Sequence, residues 1–321
     1  MWLIYAFSST SLYALGEVFQ KKGSHFKEEH TELKLLVWFG IFSFIFSLLL
    51  KAFGLVDMSF NIFTMISDNP GVILSPLFYA LSLILCFLSF KLVPVSVIAP
   101  ITCMEGAFTF FGVVMMYIFL GKTDEILQSV TLLKLILIIL SFTGIYLCGL
   151  IQNKIENKEE NKILANGKFL IKSGYFAIIG IVLALLSAVL DSASSLTDIY
   201  FLGDIADSYE YIYTHGIIVF VFVVIVYFVL WAIESKPYNP FKRTEIPKML
   251  GSGCDSLAMI LYMLAVSKNP IFTNIIVSGF CAFTVLFSRI ILKEKLEKRQ
   301  EVCVLFTIVC ILVFAVLDEV L

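Results

Sequence analysis

Long apolar runs separated by short polar stretches set the pattern of this chain. A hydrocarbon core of about 30 Å is crossed by roughly 20 helical residues at ~1.5 Å each. Ten runs meet that length: 2–20, 35–53, 71–91, 95–119, 131–151, 173–197, 209–233, 248–267, 270–292 and 302–320. They predict an all-α membrane protein of ten transmembrane helices. The semi-polar stretch 54–70 reads as a short interfacial helix. The run at Trp2 has no basic residues before it and no small-residue cleavage site after it, so it reads as the first membrane helix.

One stretch breaks the pattern. Gln152 to Lys168 is charged, rich in Asn and free of aromatics, which predicts a soluble linker. It leaves five helices on either side. The expected organisation is a first five-helix repeat over 1–151, a linker over 152–172, and a second five-helix repeat over 173–321. An odd number of helices per repeat inverts the second copy in the membrane. Weak sequence matches agree: Pro94 and Pro270 open helices 4 and 9, and Ala107-Phe108-Thr109 has a counterpart in Ala282-Phe283-Thr284.

Composition points the same way. The chain is 60% hydrophobic and 15% charged, too few charges to cover a water-exposed surface. A net charge of −2 with no basic face argues against a nucleic-acid partner. Lysine and arginine fall 18 to 4 in favour of the odd-numbered loops, which places those loops in the cytoplasm and both termini outside. The excess of Lys over Arg suggests a bacterial source and hence the inner (plasma) membrane. The seven cysteines lie in apolar runs without metal-ligand spacing and read as small packing residues.

The Pro-led helices 4 and 9, with the endings FLGKTDE and ILKEKLEKRQ, resemble the drug/metabolite transporter superfamily in its EamA-like branch. Phe19-Gln20-Lys21-Lys22-Gly23, VPVSVIAP at 93–100 and LYMLAVSKN at 261–269 are similar to the NIPA-type magnesium transporter group. The resemblance implies five plus five helices and transport of a small solute.

The candidate chemistry lies in ionisable residues at membrane depth, each of which costs roughly 2.5–3.5 kcal/mol on insertion scales. Glu105 lies about 18 Å into helix 4, with Thr102 and Thr109 on its face. It reads as a cation or proton site, or as a structural protonated carboxyl. Asp255 shares its face with Met259 and Tyr262, which suits an organic cation, or it is a helix N-terminal acid. Asp191 continues a polar stripe of Ser187, Ser194 and Asp198, with Asp198 expected near the solvated outer surface. Glu17 shares a face with Tyr13 and Thr10, lies one turn from Lys21, and roughly mirrors Asp191 in the second repeat. Asn274 gives helix 9 a polar face, and Arg289 either snorkels or pairs with a carboxylate. His215 is expected to be structural. Tyr13, Tyr79, Phe108, Tyr117 and Tyr262 are available for an aromatic cage.

A surplus of buried carboxylates over buried cations favours a cationic or zwitterionic organic solute over an anion. The expected activity is secondary transport by alternating access, coupled to an ion or proton gradient. A divalent-cation transporter is the second reading, with Mg2+ taken by Glu105 and further carboxylates. No nucleotide-binding fingerprint and no hydrolase or intramembrane-protease motif is present, so no enzyme activity or cofactor is expected. The partners expected are a small solute and the lipid bilayer, with the chain as monomer or homodimer.

Overall fold

The computed structural model describes residues 1–23, 30–92, 101, 104–144, 146–147, 151, 174–204, 207–235, 237–240, 242–292 and 298–320. The 152–172 linker, the 93–100 run and Thr102 lie outside them. Every regular element among the described residues is helical. The helices are α1 (Trp2–Gly23), α2 (Thr31–Ala52), α3 (Ile62–Asp68) and α4 (Leu74–Leu92). They continue with α5 (Glu105–Phe119), α6 (Thr123–Ser129), α7 (Leu132–Gly144) and α8 (Gly174–Asp204). The rest are α9 (Ser208–Glu234), α10 (Ile246–Val266), α11 (Thr273–Val277), α12 (Phe280–Phe287) and α13 (Lys298–Val320).

Six described segments are long and apolar enough to cross a membrane, and a bent pair over α3 and α4 can supply a seventh. The chain is therefore an all-α, multi-pass membrane protein. Shorter apolar helices are α5 and α7. The 22-residue α1 is long enough to span but carries Ser8, Ser9, Thr10, Ser11, Glu17 and Gln20, which lower its hydropathy. Of these, Ser9 and Thr10 are fully buried.

Local chemistry sets the ends. Asp207 caps α9 by accepting from the backbone N–H of Tyr209 and Glu210 at 2.9 and 3.2 Å. Asn61 caps α3 by accepting from Phe63 N–H at 3.0 Å. Gly121, with φ of 73°, closes α5, and the Lys122 N–H returns to the Tyr117 carbonyl at 2.9 Å. The run expected as one helix over 270–292 keeps a candidate span over 273–291 but is locally irregular. α11 stops at Val277, Ser278-Gly279 forms a turn, α12 follows, and Ser288–Leu292 ends as a π turn. No proline marks this break; Gly279 and Ser278 supply the slack.

Small residues fix the principal crossings, as expected where lipid removes the hydrophobic drive between helices. On α1 and α10, the Ser9 hydroxyl donates to the Ala258 carbonyl at 2.8 Å, and Gly16 lies against Gly251. On α4 and α8, the Ser187 hydroxyl donates to the Ser82 carbonyl and the Ser194 hydroxyl to the Ser75 carbonyl, both at 2.9 Å. Each crossing pairs residues seven apart on both helices, running antiparallel. On α2 and α9, a Cβ added to Gly40 would strike Val223, and one added to Gly216 would strike Ser47. At the helix ends, Lys34 pairs with Glu234 at 3.0 Å, Lys248 with Glu245 at 3.0 Å and Lys134 with Asp318 at 2.9 Å.

Candidate functional site

The polar residues at depth gather where α1, α4, α5, α8, α10 and α11 meet. Glu105 is the first residue of the described α5. Its Oε1 accepts from the Thr109 hydroxyl at 3.3 Å and, at the long limit of 3.5 Å, from the Ser195 hydroxyl of α8. Thr109 also donates to the Glu105 carbonyl at 3.0 Å, which holds its own rotamer.

Asp191 lies on α8 one turn before Ser195, within electrostatic reach of Glu105 and Asp198. Asp255 lies midway along α10, where the Gln20 amide of α1 donates to its Oδ2. Gly16 makes that approach possible, because a Cβ there would collide with the Asp255 carboxylate. The Tyr79 hydroxyl of α4 lies within electrostatic reach of Asp255, Asp191 and Glu105. Tyr13 donates to the Met259 sulfur at 3.2 Å and packs its ring 6.2 Å from that of Phe280. A cavity of about 30 Å³ touches Asp255 and is lined by Gln20, Leu36, Phe39, Leu83 and Ser252, among others.

Tyr262 and Asn274 complete the centre. Both are 4% exposed. The Tyr262 hydroxyl lies beside Ser195 and Asn274, yet neither it nor Asn274 Nδ2 forms a hydrogen bond among the described residues.

No described Lys or Arg forms an ion pair with Glu105, Asp191, Asp198 or Asp255. Arg289 pairs instead with Glu301 at 2.5 Å in an exposed position, away from the central acids. Among the described residues the centre is thus a set of acids near tyrosines with no paired cation, an arrangement that attracts positive charge.

Other sequence expectations change in the structure. Glu17 is exposed, and its Oε2 accepts from the Thr284 hydroxyl of α12 at 2.7 Å. Tyr117 lies at the far end of α5 beneath Lys122, outside the cluster. His215 is buried, with Nε2 unpartnered among the described residues. Asp198 is fully buried, not solvated. Gln20 and Ser195 escaped notice because each is a neutral residue beside more conspicuous charges. Their spacing from Gly16 and Asp191 by one turn was the available signal.

No family model and no curated protein matches the chain. A solved crystal structure, described only as that of a protein, superposes with a TM-score of 0.65 at 11% identity, covering 98% of this chain and 96% of the other. That likeness shows a shared fold and nothing of the activity.

Proposed function

We propose that this protein is a secondary active transporter of a small organic cation or zwitterionic metabolite, working by alternating access and driven by an ion or proton gradient. The observation that carries the reading is that Glu105, Asp191 and Asp255 all lie within electrostatic reach of the Tyr79 hydroxyl, with no described lysine or arginine paired to them. Tyr13 and Tyr262 add aromatic faces suited to an ammonium. Membership of the drug/metabolite transporter superfamily, residence in a bacterial inner membrane with odd loops inside, and the absence of an enzyme activity are parts of the same proposal.

The architecture belonging to this reading is ten membrane helices in two inverted five-helix repeats. The helix crossings support it. Gly40 faces Val223 and Gly216 faces Ser47; both partners recur 176 residues on, so the α2–α9 crossing maps onto itself. The Ser82 and Ser75 positions of α4 recur at Ala258 and Gly251 of α10, again 176 residues on. Their partners Ser187 and Ser194 correspond to Ser9 and Gly16 at an offset of 178. In that register Asp191 corresponds to Tyr13, and Glu17 to Ser195, one turn away from the match expected from sequence alone. Two such halves rocking about a midplane site give alternating access.

A magnesium transporter is the second reading, favoured by the electrostatic closeness of Glu105 and Asp191. Among the described residues, no three His, Cys, Asp or Glu side chains are grouped to hold a metal ion. A thermal-melting screen of the purified protein tests both readings, using choline, ethanolamine, putrescine, alanine and Mg2+, run beside Glu105→Gln. A ligand of the folded state raises the melting temperature by mass action. An ammonium compound that stabilises the wild type and not Glu105→Gln supports the leading reading. Stabilisation by Mg2+ alone transfers the site to the metal, and no stabilisation by any cation removes both.

A further inference from the structure

The polar stripe of α8 ends in a residue that the cation site does not use. Asp198 is fully buried. Its Oδ1 accepts two hydroxyls, from Ser75 of α4 at 2.5 Å and from Tyr211 of α9 at 2.8 Å. Its Oδ2 has no donor among the described residues. The geometry points to Asp198 as the proton-carrying group of this protein, separate from the acids that hold the solute. The inference rests on the transporter reading above for its purpose, but not for its evidence.

A carboxylate withdrawn from water needs donors at both oxygens. Here the donors crowd one oxygen and leave the other bare, which is the hydrogen-bonding pattern of a group that binds a proton on Oδ2. The groups that face it are few. Tyr211 belongs to α9 and Tyr262 to α10, while Asp191 stands two turns back on α8. The His215 ring lies 6.4 Å from that of Tyr211, with its own Nε2 unpartnered among the described residues. No described lysine or arginine forms an ion pair with Asp198.

Tyr262 links this group to the solute site. Its hydroxyl lies beside Ser195 and Asn274, within electrostatic reach of both Asp198 and Glu105. The Tyr262 hydroxyl of α10 can donate, and Asp198 Oδ2 of α8 is an acceptor with no donor among the described residues. When the proton leaves Oδ2 for water, the Tyr262 hydroxyl is drawn to that oxygen and away from Glu105 and Asn274. When water on the acidic side returns a proton, an O–H bond forms on Oδ2 and the tyrosine is released to the solute site. Ser195, one turn from Asp198, already touches Glu105, so both ends of the exchange sit on one stretch of α8. A sodium ion in place of the proton needs several oxygens turned to Oδ2. The Ser75 hydroxyl is instead committed to Oδ1, and the Ser194 hydroxyl to the Ser75 carbonyl.

The test is pH-difference infrared spectroscopy of the full chain in lipid vesicles, with aspartate carbon-13 labelled at its side-chain carboxyl. The expected result is a protonated-carboxyl band that grows on acidification and moves with the label, which separates it from Glu105. It vanishes in Asp198→Asn and survives in Asp191→Asn and Asp255→Asn. In Asp198→Glu a band remains but no longer moves with the label, which decides the matter if the Asn variant fails to fold. A band that is absent from the wild type, persists in Asp198→Asn, or follows sodium rather than pH overturns the inference. Failure of the transporter reading shows differently: the band behaves as expected while no solute in the melting screen binds.

Discussion

Gly16 of α1 rests on Gly251 of α10 with no side chain between them: a Cβ added to Gly251 would come within 2.9 Å of the Gly16 carbonyl oxygen. This backbone-to-backbone approach is what brings Gln20 onto Asp255. It ties the packing of the first helix to the electrostatics of the centre.

Enlarging Gly16 therefore damages the site as well as the fold. Gly16→Val places its side chain into the Asp255 carboxylate and should cost about 1–3 kcal/mol, the range for overpacking. The expected outcome is a lower melting temperature together with loss of ligand-induced stabilisation. Unchanged ligand stabilisation in a folded Gly16→Val protein contradicts the link between the two.

The serine ladder between α4 and α8 gives a graded prediction. Ser82→Ala removes the side-chain contact with Ser187, but the Ser82 carbonyl still accepts from it. Interhelical hydrogen bonds of this kind average about 0.6 kcal/mol in membrane proteins, so a loss of that order is expected. Ser75→Ala also strips a donor from the buried Asp198 and should destabilise more. Denaturant titration of the two variants in detergent measures the difference; equal losses would contradict the role given to Ser75.

Lys134 and Asp318 form a buried pair, 5% and 8% exposed at their side chains, with Asn269 donating to the second Asp318 oxygen at 3.0 Å. Breaking one side leaves a bare charge, which typically costs about 3–5 kcal/mol. Lys134→Met should lower the melting temperature sharply, and the double variant Lys134→Met with Asp318→Leu should recover part of the loss. Asn269, left unpartnered, keeps the recovery incomplete. A double variant no better than the single one contradicts the pair as the source of the loss.

Hydropathy predicts most of the helices, because a stretch of about 20 apolar residues has few other uses. The run 209–233 falls within the observed α9, and 35–53 overruns the end of α2 by one residue. The break at Ser278-Gly279 was hidden, since the stretch around it stays apolar and the turn depends on packing against Thr10, whose hydroxyl reaches the Ile276 carbonyl at 3.3 Å. Glu105 and Asp255 announced themselves as charges in apolar surroundings. Asp198 did not, because its place near a helix end suggests water, and only the tertiary packing of Ser75 and Tyr211 shows otherwise. The small residues Ser9, Gly16, Ser187 and Ser194 carried a seven-residue signal that hydropathy alone passes over.

The central claim is that the acids around Tyr79 bind and carry an organic cation. Counterflow in proteoliposomes measures this directly, with labelled choline outside and unlabelled choline inside. Choline keeps its charge at every pH, so its movement reports the cation site alone. The account predicts uptake by the wild type that Glu105→Gln abolishes. Uptake that is equal in both proteins, or absent from the wild type for choline and the other ammonium compounds alike, would contradict it.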